Sequence, residues 1–246
     1  MKIITLNING LRGMININDF VSEIELNSNL KKLKTYVDSL CIGEEDIIVL
    51  QEVPHKVLID KSRSPWLWEE QEIFQKFRIL FEEYYTVFYP RFLIDSQQCT
   101  LALAHKNTKW NRSSRNIIQY NRWHHYGNKL IGAEMDDITL LGVHIKPCDE
   151  MWRLLLNSLR MKDVTFIVGD FNAYEKRGEM KGKPAELRKL CYNSVLPCNV
   201  ITDYRDFSSL DNLYINNGFM LEEGIKVDIH KTDLFVTDHA CCIFEM

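Results

Sequence analysis

The 246-residue sequence has little that would divide it or fasten it to a membrane. No Ser/Gly/Pro-rich stretch separates one part from another, and there is no internal repeat or low-complexity tract. One domain covering residues 1–246 is therefore expected, and 46% hydrophobic content is enough to bury its core. No apolar run has the length of a bilayer span. Met1-Lys2-Ile3-Ile4-Thr5-Leu6 enters strand-like sequence without the charged segment, apolar stretch or cleavage site of a leader. The seven cysteines are an odd number without paired metal-ligand spacing, which suits reduced thiols and a cytoplasmic location better than a disulfide framework. A basic excess is missing too. A formal net charge of -4 argues against a protein that coats nucleic acid by bulk electrostatics, although local basic patches are compatible with it. No serine or cysteine stands in a nucleophile-elbow setting, so nothing points to covalent catalysis. No feature marks an obligate protein partner.

What is present is a set of apolar runs that end in polar residues. Phe166-Ile167-Val168-Gly169-Asp170-Phe171-Asn172-Ala173 is the clearest. Residues two apart on a strand share a face, so Asp170 and Asn172 would project in line with Phe166 and Val168. A buried strand tolerates charge where it stops, at water, a metal or a paired group. The stretch reads either as an Asx-type turn after a core strand or as a pre-aimed pair that holds a metal-bound phosphate. The same design recurs. Asn7 and Asn9 close an alternating run over residues 2–9, Gln51-Glu52 close 46–52, His144 closes 138–144, and Asp238-His239 precede an apolar strand over 240–244. If these strands share a core, their polar ends converge at one rim, where α/β proteins bind ligands.

Helical spacing predicts helices over 29–40, from Ser64-Pro65 onward, over 150–160 and from Pro184. The second carries an apolar stripe of Trp66, Ile73, Phe77, Leu80 and Tyr84, with Glu69, Glu70 and Glu72 on a solvated face. Short strands are expected over 86–89, 100–104, 129–134, 210–215 and 225–230. Helices between apolar strands imply crossover units and mixed sheets. Residues 105–130 hold six Lys/Arg, three His and no acid, interleaved with Trp110, Tyr120, Trp123 and Tyr126. This segment reads either as a nucleic-acid contact, with Arg112, Arg115, Arg122 and Trp123 at the substrate, or as an edge hairpin kept soluble by its charges.

Carboxylates and a carboxamide without cysteine favour a hard ion, Mg²⁺ or Mn²⁺. A histidine near an aspartate, such as His239 with Asp211, suits an imidazole kept protonated by a carboxylate, able to stabilise a phosphoryl transition state. Metal-assisted attack of water on a phosphate ester is the reaction these groups serve.

The segments Thr5-Leu6-Asn7-Ile8-Asn9-Gly10-Leu11-Arg12, Leu50-Gln51-Glu52, Gly142-Val143-His144, Gly169-Asp170-Phe171-Asn172-Ala173, Leu210-Asp211-Asn212 and Thr237-Asp238-His239-Ala240 appear in this order across nearly the whole chain. In this they resemble the endonuclease/exonuclease/phosphatase superfamily of DNase I-like and exonuclease III-like proteins. The resemblance implies an α+β fold, a four-layer α/β/β/α sandwich of two mixed β-sheets packed face to face with helices outside. It implies Glu52 as the principal metal ligand, helped by Asn7 and Asp238. Asp170 would orient or deprotonate water, Asn172 would hold the water or the phosphate, and His239 paired with Asp211 would stabilise developing charge. Asn9 would lie at the substrate. His144 stands where exonuclease III-type AP endonucleases usually have tyrosine and DNase I-like nucleases and several phosphatases have histidine. This counts against a straightforward abasic-site enzyme, although the Asn7-Ile8-Asn9-Gly10-Leu11-Arg12 opening resembles that branch.

Three functions follow from this reading. The first is a Mg²⁺-dependent phosphodiesterase acting on nucleic acid, DNA above all, as an endo- or exonuclease. The second keeps the chemistry on a small phosphate ester, a nucleotide, sugar phosphate or lipid headgroup. The third is a binding protein that kept the fold and lost catalysis; the intact set of site residues speaks against it.

Overall fold

The computed structural model describes the chain apart from residues 16–20, 59–67, 91–95, 114–123, 161–162, 174–181, 198, 206–207, 220–223 and 233–235. Its elements are β1 (Lys2–Asn7), α1 (Glu23–Ser39), β2 (Ile47–Pro54), β3 (Lys56–Leu58), β4 (Trp68–Glu70), α2 (Glu72–Glu82), β5 (Tyr85–Phe88), β6 (Gln98–His105), β7 (Asn111–Arg112), β8 (Leu130–Met135), β9 (Ile138–His144), α3 (Asp149–Leu159), β10 (Phe166–Asp170), α4 (Lys183–Lys189), β11 (Tyr192–Ser194), β12 (Asp211–Asn216), β13 (Lys226–Lys231) and β14 (Ala240–Glu245). One six-stranded sheet runs β13-β14-β1-β2-β6-β5, the other β11-β12-β10-β9-β8-β7, and β3 with β4 forms a small ribbon.

Both sheets follow one plan. Each is antiparallel except for a single parallel pair, β1 with β2 and β9 with β10. α1 connects the first pair and α3 the second, the crossover that parallel neighbours require.

Alternation along these strands sorts the apolar residues into three cores. Ile4, Leu6, Ile48, Leu50, Leu101 and Ile243 face α1 and α2. Leu141, Val143, Ile167 and Tyr214 face α3 and α4, around Trp152 and Leu155. Ile3, Val49, Ala102, Phe166, Val168, Leu213 and Phe244 fill the space between the sheets. Three cores make four layers, helix, sheet, sheet and helix, as the resemblance implies. The sheets approach closely at Gly142, where an added Cβ would lie 2.7 Å from Val49 Cγ1 of the opposite sheet.

Two helix starts differ from the sequence expectation. α1 begins six residues before residue 29, because Ser22 and Glu25 form a reciprocal capping box. The helix expected from Ser64-Pro65 begins at Glu72; Ser64, Pro65 and Trp66 lie outside the described residues, and residues 68–70 form β4 against β3. Strand pairing there outweighs the helical spacing, so Glu69 and Glu70 do not belong to a helix face. Among the described residues no helix is long and apolar enough to cross a membrane, and the six described cysteines are free thiols.

Candidate active site

The face between the sheets changes character toward one end. Ile3 is followed on it by Thr5 and Asn7, Val49 by Gln51, Phe166 and Val168 by Asp170, Leu140 and Gly142 by His144, and Ile215 and Leu213 by Asp211. Register places His144 beside Asp170 and Asp170 beside Asp211 in one sheet, and Asn7 beside Gln51 in the other. The two parallel pairs thus deliver their carboxyl ends to a common polar rim.

Glu52 reaches this rim by an irregularity. Strict alternation would send it, after Ile48 and Leu50, to the helix side. Leu50 pairs with Leu101 and Val53 with Cys99, so Gln51 and Glu52 together oppose Thr100 alone. This bulge reverses the alternation: Val53 joins the helix-side core and Glu52 turns to the rim with φ 56°. Asn9 and Asn172, on the neighbouring loops, also hold positive φ, of 42° and 45°. Left-handed backbone at a non-glycine residue costs about 1–3 kcal/mol and gathers where function requires an aimed side chain. Gly169 is obligatory for a related reason. Its φ is 140°, and an added Cβ would meet Val143 O at 2.0 Å, blocking the contact that sets Asp170 beside His144.

Three pairs cross between the sheets and build the site. Asn7 Nδ2 donates to Asp170 Oδ2 at 2.9 Å and to Glu52 Oε1 at 3.2 Å. His144 Nε2 lies 3.2 Å from Glu52 Oε1 and 3.9 Å from Asp170 Oδ2. His239 Nδ1 lies 2.8 Å from Asp211 Oδ2, the pairing expected from sequence. Asp170 Oδ1 accepts the Asn172 N–H at 2.9 Å, so the Asx turn and the aimed carboxylate are both present in one motif. β10 ends at Asp170, and the left-handed backbone of Asn172, instead of strand alternation, sets its direction.

The electrostatics separate these groups. Burial works to raise Glu52, and His144, Lys129 and the Asn7 amide outweigh it, holding the carboxyl below its usual range. Burial and the neighbouring Asp211 carboxylate push Asp170 up to about 7, against the pull of His239. Burial and the Lys129 ammonium push His144 down to about 3, so its ring is neutral. Burial opposes charge on His239 as well, but Asp211 overrides it and raises the ring to about 10.

Asp238 is fully buried, and among the described residues neither of its side-chain oxygens receives a hydrogen bond; Arg205 Nη1 lies 3.3 Å away and His239 Nε2 3.8 Å. Asp211 Oδ1 is likewise without a hydrogen-bond partner among them. Glu52, His144 and Asp170 form a cluster able to surround an ion, as do Asp170, Asp211 and His239, and Asp203, Asp238 and His239. The clusters share Asp170 and His239 and so make one continuous strip. Buried carboxylate oxygens without donors, in an oxygen-rich set, fit a hard divalent cation.

Of the substrate contacts expected from sequence, Asn9 and Arg112 are described, and neither presents its side chain to this rim. Asn9 is buried, its N–H donating to Asn7 Oδ1 at 2.9 Å and its Nδ2 to Gly13 O at 2.7 Å, so it orients Asn7. Arg112 is exposed on β7, the outer strand of its sheet, and pairs with Ala133, which faces Leu140, four residues before His144. Arg115, Arg122, Trp123 and Tyr120 lie outside the described residues. Trp110 is no base-stacking platform, because its ring is buried between the sheets and its indole N–H donates to Glu45 O at 2.8 Å. Sequence reasoning missed Lys129 and Gln98. Lys129 Nζ lies 3.2 Å from His144 Nδ1, and Gln98 Nε2 donates to Glu52 Oε2 at 2.8 Å. Neither carries a motif that would have exposed it.

No protein-family model matches the sequence, and no curated protein matches it. Solved structures do match, over the whole chain. An AP endonuclease from Archaeoglobus fulgidus aligns with 100% of this chain and 99% of its own at a TM-score of 0.61 and 12% identity. The 3'-5' exonuclease NExo from Neisseria meningitidis gives 100%, 99%, 0.61 and 16%. The endonuclease domain of TRAS1, a telomere-specific non-LTR retrotransposon, gives 99%, 96%, 0.58 and 14%. The chain has the DNase I-like α+β sandwich fold of endonuclease/exonuclease/phosphatase-type proteins.

Proposed function

We propose that this chain is a divalent-metal-dependent phosphodiesterase that hydrolyses nucleic-acid phosphodiester bonds, with DNA as substrate and Mg²⁺ or Mn²⁺ as cofactor. The observation that carries the proposal is the set of three cross-sheet pairs, which joins Glu52, Asp170 and His239 at one rim.

Glu52 would hold the ion beside Asp170, with Asp238 further along the same acidic strip; the Asn7 side-chain oxygen is taken up by the Asn9 N–H. A divalent cation there would neutralise phosphate charge and polarise the ester. The chain's own residues account for the rest. Asp170, with its pKa at about 7, is poised to take a proton from water near neutral pH. Asn172 would hold that water or the phosphate. His239, charged through neutral pH, would donate a hydrogen bond to a phosphate oxygen as negative charge builds, and Asp211 keeps it charged and aimed. Similarly folded proteins that act as nucleases, and the basic sequence around Arg115 and Arg122 in segment 105–130, support a nucleic-acid substrate.

A phosphatase of small esters is the second reading. It draws on the internal bonding of Asn9 and the distance of Arg112 from the rim. Supercoiled plasmid with Mg²⁺ or Mn²⁺, beside an Asp170→Ala/His239→Ala control, separates the two. Nicking that is lost in the control supports the nuclease. Intact plasmid with phosphate released from nucleotides or sugar phosphates replaces it with the phosphatase.

A further inference from the structure

Glu52 is held from behind by a turn that no catalytic motif includes. Asn128 and Lys129 close a 3-10 turn over His124–Lys129. They are 1% and 4% exposed, an unusual depth for a lysine. From these two neighbours, two chains of contacts run to the two oxygens of one carboxylate. Lys129 Nζ reaches His144 Nδ1 at 3.2 Å, and His144 Nε2 reaches Glu52 Oε1 at 3.2 Å. Asn128 Nδ2 donates to the main-chain oxygen of Gln98, whose Nε2 donates to Glu52 Oε2 at 2.8 Å.

We propose that Lys129 and Asn128 are positioning residues that set the direction of the Glu52 carboxylate, Lys129 by fixing the tautomer of His144 and Asn128 by fixing Gln98. The chemistry of the first chain is directional. Burial works against the charge on Lys129 and the Glu52 carboxylate supports it; an ammonium has donors and no acceptor, so His144 Nδ1 accepts from it and the ring proton sits on Nε2. That proton then points at Glu52. A ring with its proton on Nδ1 would face Lys129 donor to donor and turn a lone pair toward the carboxylate. In the second chain the amide of Gln98 occupies Oε2, so the carboxylate cannot rotate without breaking a hydrogen bond on each side. A bulged residue at positive φ needs such support, because its backbone does not hold it in a favoured well.

This inference rests on the reading of Glu52 as a metal ligand, and its test begins without metal. Long-range 1H–15N NMR of the metal-free full chain reports which ring nitrogen carries the proton, with the His144 signals assigned by their loss in His144→Gln. The expected result is a proton on Nε2 in the wild type and a proton distributed over both nitrogens in Lys129→Met. A wild-type ring protonated on Nδ1 overturns the proposal directly, even should Lys129→Met fail to fold. Mn²⁺ binding, followed by water-proton relaxation, is the second readout. Affinity should fall about tenfold in Lys129→Met and about threefold in Asn128→Ala, the equivalent of one neutral hydrogen bond. Unchanged affinity in both variants overturns the proposal. An Nε2 proton and the expected affinity losses in a chain that cleaves neither plasmid nor small esters would uphold the positioning while removing the hydrolase reading.

Discussion

Two histidines stand at the same rim, both buried, and are driven in opposite directions. His144 is pushed down to about 3 and His239 up to about 10. Burial acts alike on both by disfavouring the imidazolium. The neighbouring charge makes the difference, since Lys129 stands behind one ring and Asp211 behind the other. The fold presents a neutral ring to the carboxylate that would hold a cation, and a charged ring to the space a phosphate would occupy. Environments that push like groups apart in this way divide the roles within an active site. The two histidines should therefore fail differently when removed.

The largest effect is expected at His239. His239→Gln keeps a donor but loses the charge, and cleavage should fall about 10²–10³-fold while the Mn²⁺ midpoint stays where it was. A shifted midpoint with an intact maximal rate would assign His239 to the metal side and erase the contrast. Asp211→Asn tests the cause of that charge. A pKa raised in the folded state leaves the ring charged below about 10, so wild-type cleavage should not lose this group until the pH approaches that value. The same sign holds for stability: the pair's contribution is full below the ordinary histidine pKa and is lost as pH rises through about 10. Without Asp211 the ring loses its proton at lower pH. Cleavage at neutral pH should fall about 10²-fold, with the alkaline limb of the pH–rate profile moved toward neutrality. An alkaline limb that does not move would show that another group sets it.

His144→Gln should give the converse pattern. The required Mn²⁺ concentration should rise about tenfold, with most of the maximal rate recovered at saturation. Metal titrations of cleavage by the His144 and His239 variants, run side by side, are the direct test of the division. Two parallel losses of rate would mean that both rings act at the same step.

Much of this site was legible in the sequence because strand alternation is a strong rule. Asn7, His144, Asp170 and Asp211 lie where counting by twos from Ile3, Leu140, Phe166 and Ile215 puts them. Glu52 is where counting fails, since a single extra residue sends it to the opposite face and nothing in Leu50-Gln51-Glu52-Val53 announces a bulge. Lys129 and Gln98 were illegible for another reason. Their roles depend on which strands become neighbours, a tertiary fact that local spacing does not encode. The start of α1 was a local signal passed over, since Ser22 and Glu25 stand at capping-box spacing ahead of the apolar stripe. Trp110 shows the reverse error, where an aromatic among basic residues suggested a ligand platform and the ring fills the core.

The contrast between the histidines depends on exclusion of water, and a pair outside the rim can measure how much. Asp38 lies between Lys34 and Tyr85, with both carboxylate oxygens 2.7 Å from Lys34 Nζ and Oδ1 accepting the Tyr85 hydroxyl at 2.6 Å. Its geometry is as close as that of His239 with Asp211, but the Asp38 side chain is 49% exposed. Burial works to raise Asp38, and Lys34 and Tyr85 together outweigh it, so its carboxyl sits below the usual range. Water screens the pair, and Asp38→Asn should cost only about 0.5–1 kcal/mol at pH 7. Because the folded-state pKa is depressed, this contribution is present above the ordinary carboxylate pKa of about 4 and is lost as pH falls through the folded value. Urea unfolding of wild type and Asp38→Asn should accordingly differ at pH 7 and converge under acid, with added salt also narrowing the gap. An equal difference at both pH values would show that Asp38 acts through packing. A loss at pH 7 several times larger would mean that close geometry sets these charges without help from burial, and the opposed states of His144 and His239 would then need no dry rim to explain them.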